Sequence, residues 1–208
     1  METAHLLGAD RVRVYAGAWH PGDTDHDRRW EKLREALQVL APEAEQAGVR
    51  LCVENHFGTM TQTAAETAAL VREIAHPAIR VLYDQANLTF THDESVEEAF
   101  AVQGDLIGHV HAKDLVFTDP NAAFRATETA RVDASERAVR SQVIGTGVLP
   151  WPQILAALLR HGYDDLLSIE YEYRWHPQDL PAPEDGFRES ANALRVMLAE
   201  IAEMENAR

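Results

Sequence analysis

Four segments of this chain run from an apolar stretch into a residue that can bind a metal. They are Leu51-Cys52-Val53-Glu54, Val81-Leu82-Tyr83-Asp84, Ile107-Gly108-His109-Val110-His111 and Leu166-Leu167-Ser168-Ile169-Glu170. The candidate ligands Glu54, Asp84, His111 and Glu170 lie 30, 27 and 59 residues apart. Each of the first two gaps fits one strand-plus-helix unit, and the third fits one unit with a long insertion. Ligands delivered one per strand, at C-terminal strand ends, converge above a parallel sheet. Carboxylates with one imidazole form a hard O/N set suited to Mn²⁺, Mg²⁺, Co²⁺ or Zn²⁺, with open positions for substrate oxygens. A single cysteine, Cys52, rules out a thiolate site. Taken singly, Glu54 reads as a strand-end acid paired with a base, Asp84 as a turn cap and His111 as a core histidine. Their joint placement at four strand ends makes a metal-dependent enzyme the leading reading.

The elements that must position these residues follow from periodicity and breakers. A helix end over 2–7 closes at Gly8, and a short strand, 11–15, follows. Thr24 or Asp25 can cap a helix whose apolar stripe is Trp30, Leu33, Leu37, Leu40, Ala44 and Ala47. Pro42 is expected to kink it and Gly48 to end it. Strands are expected at 49–55, 79–84, 106–113 and 166–171. Helices are expected at 62–75, 95–103, from Pro150 to Gly162, and within 184–207. Residues 114–147 break the rhythm, with a helix expected over 121–139. Five strands alternating with helices give a parallel sheet covered by helices. Alternation puts Cys52 with Glu54, Leu82 with Asp84, His109 and Lys113 with His111, and Ser168 with Glu170 on the inner face. That face is expected to turn polar only at the strand ends.

At 208 residues and 46% hydrophobic content the chain is expected to be one domain with a real core. No apolar run is long enough to span a membrane, and no leader is seen. With Cys usage this low, a reducing cytoplasm is expected. A formal charge of −15 repels nucleic-acid phosphates and argues against a nucleic-acid partner.

Several motifs carry a resemblance. Val53-Glu54-Asn55-His56, Tyr83-Asp84-Gln85-Ala86-Asn87-Leu88, His109-Val110-His111-Ala112-Lys113-Asp114, the 145–151 segment from Gly145 through Gly147 to Trp151, and Ser168-Ile169-Glu170-Tyr171 occur in this order. Together they resemble the xylose isomerase-like TIM-barrel family, the sugar phosphate isomerase/epimerase group, over essentially the whole chain. Val12 to Gly17 is similar to that group's fourth strand. The resemblance implies an incomplete (β/α)8 barrel holding strands four to eight, a single domain over 1–208 lacking about three N-terminal βα units. It implies one divalent ion bound by Glu54, Asp84, His111 and Glu170. It also implies a 1,2-proton shift on a ketose or related carbonyl sugar through an enediolate, with Glu54 and Glu170 as the acid–base pair.

Secondary candidates for substrate contact are His56, Asn87, Lys113, Arg174 and Trp151. Asn87 stands where related enzymes often carry His and reads as a hydrogen-bond donor to substrate. Lys113 reaches the substrate or pairs with Asp114 or Glu172. Arg174 holds an anionic group or a surface ion pair. Trp151 forms an apolar pocket wall or packs in the core. Competing functions are a polyol (inosose-type) dehydratase on the same site, an apurinic endonuclease-like nuclease, and an inactive fragment. The nuclease would want histidines near Tyr15 and Asn87, where none stand. The expected partner is a small sugar or polyol. Open sheet edges also call for a homo-oligomer or a partner covering the open barrel.

Overall fold

The computed structural model describes residues 1–19, 22, 24–119 and 137–206. The elements run α1 (Glu2–Leu6), β1 (Arg11–Val14), α2 (His26–Gln46), β2 (Arg50–Glu54), α3 (Ala64–Ile74), β3 (Ile79–Tyr83), α4 (Gln85–His92) and α5 (Val96–Gln103). There follow β4 (Ile107–Ala112), β5 (Asp114–Phe117), β6 (Val139–Gln142), α6 (Trp151–Arg160), β7 (Leu167–Ile169) and α7 (Pro183–Asn206). Local chemistry sets the boundaries. Asp25 caps α2 by accepting from the Arg28 N–H. Thr63 and Glu66 close a capping box on α3, as Ser95 and Glu98 do on α5. Pro42 lies inside a helix assigned without interruption from His26 to Gln46.

Five strands form one parallel sheet in the order β1-β2-β3-β4-β7, and β5 and β6 form a separate antiparallel pair. The five expected strands are therefore present. The pair β5–β6 and helix α4 are additions. Helix α4 was hidden because Asp84 reads as a strand end, yet its carboxylate accepts from the Asn87 N–H and so caps a helix. Most of the helix expected over 121–139 lies outside the described residues, and Val139 at its end opens β6.

The convex side of the sheet is the apolar one. Leu51, Val53, Ile79, Val81, Tyr83, Val110 and Ala112 are buried there in a core shared with residues from the helices, such as Leu37, Leu70, Phe100, Ile154 and Leu194. The concave side departs from expectation, because polar groups run along it rather than appearing only at the strand ends. Strand register places Arg13, Cys52 and Arg80 in one row and His111 beside Ser168 in another. His109 Nε2 lies 2.8 Å from Ser168 Oγ, with Arg11 3.4 Å from its Nδ1. A closed barrel fills its interior with apolar layers. Here hydrogen-bonded and ion-paired groups run along the concave side, with Cys52 and Leu82 among them.

The sheet curls. Neighbouring strands lie about 4.8 Å apart, so flat edges would stand about 19 Å apart. Yet Arg13 on β1 reaches Glu170, just past β7, at 3.3 Å, and Arg11 reaches Asp165 at 2.9 Å. Curvature is accompanied by an irregularity in β4. Val81 pairs with Ile107, but Leu82 pairs with His109, so Gly108 is the extra residue. This sends Ile107 to the core and His109 to the concave face. Glycine is needed there because a Cβ would stand 2.4 Å from Arg80 Cβ.

Candidate metal centre

Glu54 ends β2, Asp84 follows β3, His111 lies near the end of β4, and Glu170 follows β7. The curled parallel sheet brings one ligand atom from each to within 4.8 Å of every other. His111 Nδ1 lies 3.1 Å from Glu54 Oε1, 3.4 Å from Glu170 Oε2 and 4.0 Å from Asp84 Oδ2. Glu54 and Asp84 are wholly buried. Asp84 Oδ2 accepts no hydrogen bond among the described residues; Lys113 Nζ sits 2.9 Å away as an ion pair. A buried carboxylate oxygen ion-paired with Lys113 and facing an imidazole and two glutamates suits a hard divalent cation.

Cations surround these carboxylates. Lys113 bridges Asp84 and Glu170 at 2.9 Å each. Arg13 Nε donates to Glu54 Oε2 at 2.6 Å, and Nη1 donates to Glu170 Oε1 at 3.3 Å. Arg13 also hydrogen-bonds the Tyr15 hydroxyl and lies over its ring.

The charge states follow from this packing. Burial alone would depress His111, but hydrogen bonds to Glu170 and Glu54 outweigh it and lift it to about 9. Burial opposes ionisation of Glu170, yet Lys113 and His111 pull it well below the usual carboxylate range. For Glu54, burial is likewise outweighed by the hydrogen bond from His111 and by the charges of His56 and Arg13. Asp84 is the exception: burial pushes it up to about 6 in spite of Lys113. Lys113 is held above its ordinary value, its carboxylate neighbours overcoming burial.

Asn55 ties together two of the strand ends that carry candidate ligands. Its side chain donates to the Asp84 carbonyl at 2.7 Å and accepts from the Asp84 N–H at 3.2 Å, in the manner of a ladder pair. Sequence reasoning quoted Asn55 in a motif but gave it no role, and it overlooked Arg13.

The secondary candidates divide. His56 lies beside the cluster: it packs edge-on to Tyr15 at 5.0 Å, and its Nδ1 is 2.7 Å from the Phe57 carbonyl. Lys113 is in the cluster itself. Asn87 is wholly buried, with Nδ2 donating to the Asn55 carbonyl and Oδ1 accepting from Lys113. Both of its polar groups have protein partners, and through Oδ1 it steadies Lys113. Trp151 is 1% exposed in the convex-side core, which makes it packing and not a pocket wall. Arg174 is exposed and lies over the Trp175 ring.

Asp114 explains two further motifs. Its buried carboxylate accepts from the N–H groups of Leu115, Gly145, Gly147 and Leu149 at 2.9–3.1 Å. It thereby pins the 145–149 segment beside β5. A Cβ on Gly147 would fall 2.1 Å from this carboxylate, which requires glycine.

Parallel strands curled about a polar hollow, with Glu, Asp, His and Glu at their C-terminal ends, define a TIM-barrel-type protein with a candidate metal centre. The chain belongs to the xylose isomerase-like TIM barrel family, which it matches over residues 1–197. An inosose dehydratase of Salmonella agona (strain SL483) is 28% identical over 146 residues, covering 70% of this chain and 48% of that protein. A D-psicose 3-epimerase of Ruminiclostridium cellulolyticum is 26% identical over 169 residues, covering 80% and 49%. The crystal structure of a xylose isomerase-like TIM barrel protein from Mycobacterium smegmatis in complex with magnesium matches with a TM-score of 0.66. It does so at 17% identity, covering 95% of this chain and 64% of that one. The chain spans about half the length of the curated relatives it matches.

Proposed function

We propose that this chain carries the metal site of a sugar isomerase or epimerase that moves a proton between neighbouring carbons. The observation that supports it most is the convergence of four ligand atoms within 4.8 Å at successive strand ends. Glu54, Asp84, His111 and Glu170 would hold one divalent ion, which when bound supplies Lewis acidity to a carbonyl and its neighbouring hydroxyl. A magnesium complex within the same fold and an epimerase among the relatives favour this reading. The five strands then correspond to the fourth to eighth of a (β/α)8 barrel, in a single domain.

The remaining chemistry belongs to side chains. In the strand order, Glu54 and Glu170 occupy the two ends of the ligand-bearing arc, with Asp84 and His111 between them. Two carboxylates flanking a substrate carbon can remove a proton on one side and return it on the other. Both are held ionised, the form in which a carboxylate acts as base. Lys113, steadied by Asn87, places a cation where negative charge develops as the proton leaves. The substrate is a small sugar or polyol.

The inosose dehydratase relative supports a second reading, in which the same proton abstraction is followed by loss of water. Incubation with Mn²⁺ or Mg²⁺ in D₂O, with ketoses and inososes as substrates and NMR as readout, separates the two. Deuterium at the carbon beside the carbonyl with the hydroxyls intact indicates the epimerase. Deuterium with loss of a hydroxyl indicates the dehydratase. No exchange with any substrate or metal contradicts both.

A further inference from the structure

The cluster offers four donor atoms, one from each ligand. Mg²⁺ and Mn²⁺ prefer six, which leaves two positions for substrate oxygens or water. The protein itself has spare oxygens that could fill them, because every carboxylate carries two. The structure shows where those spare oxygens go. Glu54 Oε1 faces His111, while Glu54 Oε2 accepts from Arg13 Nε at 2.6 Å. Glu170 Oε2 faces His111 and Lys113, while Glu170 Oε1 accepts from Arg13 Nη1 at 3.3 Å. Asp84 Oδ2 faces Lys113, while Asp84 Oδ1 accepts from the Asn87 N–H at 3.1 Å. Each carboxylate thus has one oxygen turned to the shared centre, where His111 or Lys113 meets it, and the other held by a protein donor outside that centre. For both glutamates that donor is a single guanidinium.

We infer that Arg13 is a positioning residue that keeps two coordination positions of the bound metal open, by holding the outer oxygens of Glu54 and Glu170 away from it. This rests on the metal reading above. The geometry favours the role in three ways. A planar guanidinium can serve two carboxylates at once through separate N–H groups, which an ammonium does with less directional control. Arg13 is itself fixed, since it hydrogen-bonds the Tyr15 hydroxyl and lies 4.5 Å from that ring centroid. Its place on β1 also puts it across the hollow from β7, so it reaches both ends of the ligand arc. Its positive charge opposes a dication a few ångströms away. Arg13 therefore keeps the site open at the expense of affinity.

Without the guanidinium, repulsion falls and both glutamates are free to chelate through two oxygens. Arg13→Gln is expected to bind Mn²⁺ about tenfold more tightly or better, a relief of repulsion of about 1.4 kcal/mol. Bound Mn²⁺ is then expected to relax water protons less than in the native chain, because protein oxygens replace exchangeable water. Arg13→Lys keeps the charge but loses the two-carboxylate grip, so it should show intermediate relaxation, and it carries the test if the glutamine variant does not fold. The measurements are Mn²⁺ titration followed by electron paramagnetic resonance and water-proton relaxation, with circular dichroism to check the fold. Equal or weaker Mn²⁺ binding with unchanged relaxation in the variants overturns the inference while leaving the metal site standing. Tighter binding with unchanged relaxation also overturns it, since charge repulsion alone then accounts for the effect. Absence of Mn²⁺ binding by the native chain removes the metal reading and this inference with it.

Discussion

Arg13, on the first strand of the sheet, donates to Glu170, just beyond the last strand, across 3.3 Å. This contact ties curvature to chemistry. A flat sheet would hold these residues about 19 Å apart by strand spacing. The curl that brings them together also brings Glu54, Asp84, His111 and Glu170 to one point. At the opposite end of the same two strands, Arg11 and Asp165 make a second bridge at 2.9 Å.

That second bridge predicts an acid limb in stability. The hydrogen bond from Arg11 holds Asp165 well below its ordinary carboxylate value. A carboxylate depressed in the fold contributes stability that is complete above its unfolded pKa of 3.8 and lost as pH falls through the folded value. Asp165→Asn is expected to cost under about 1 kcal/mol at pH 7, since the pair is partly solvated. The gap between native and variant chains in urea unfolding should begin to narrow as pH falls below about 4 and keep narrowing with further acidification; a gap that stays constant over that range contradicts the linkage.

Asp114 is expected to be far less tolerant. Four backbone N–H groups point at its two oxygens. Asp114→Asn keeps one acceptor oxygen and brings an NH₂ against donors. A loss of about 2 kcal/mol or more is expected, the scale of orphaned buried donors. A thermal midpoint unchanged within a degree would show that the 145–149 segment is held by other contacts.

Gly108 tests the irregularity in β4. Gly108→Ala places a methyl 2.4 Å from Arg80 Cβ, backbone-proximal on both sides. Overpacking of this kind costs about 1–3 kcal/mol. Because the shift also aims His109 and His111 into the hollow, metal affinity should fall with stability. Loss of stability with no change in affinity would separate the irregularity from the site.

Asn55→Ala removes both hydrogen bonds that fix Asp84 to the end of β2. Ligand-orienting groups are typically worth about 10–100-fold in metal affinity. Calorimetric titration with Mn²⁺ should show a weakening within that range, with one site per chain retained. Native-like affinity would assign Asn55 a structural part only.

Much of this was legible in the sequence because periodicity and breakers are local. The strand starts and the glycine at 48 follow from neighbouring residues, as does part of the α2 stripe, where Leu37 and Ala44 are buried but Leu40 is exposed and Ala41 is buried instead; the four candidate ligands follow from where apolar runs end in a carboxylate or imidazole. Arg13 was also legible in principle. In Arg11-Val12-Arg13-Val14, alternation sets both arginines on the face opposite the valines, which is the concave one. It was overlooked because two arginines in a strand read as surface charge until the sheet is known to curl. The extra residue at Gly108 left only a trace, since strict alternation would set apolar Ile107 on the face of His109 and His111; pairing with β3 is what locates it. The protein partners of Asn87 were hidden for a related reason. Its partners, the Asn55 carbonyl and Lys113, are distant in sequence, so its engagement is a tertiary fact.

The most direct test of the central claim is calorimetric titration of the native chain with Mn²⁺ and Mg²⁺ beside Glu54→Gln, Asp84→Asn and Glu170→Gln, with folding checked for each. The account predicts one divalent ion per native chain and at least about tenfold weaker binding in every variant, as expected for loss of a ligand charge. Absence of binding by the folded native chain, or unchanged affinity in all three variants, would contradict it.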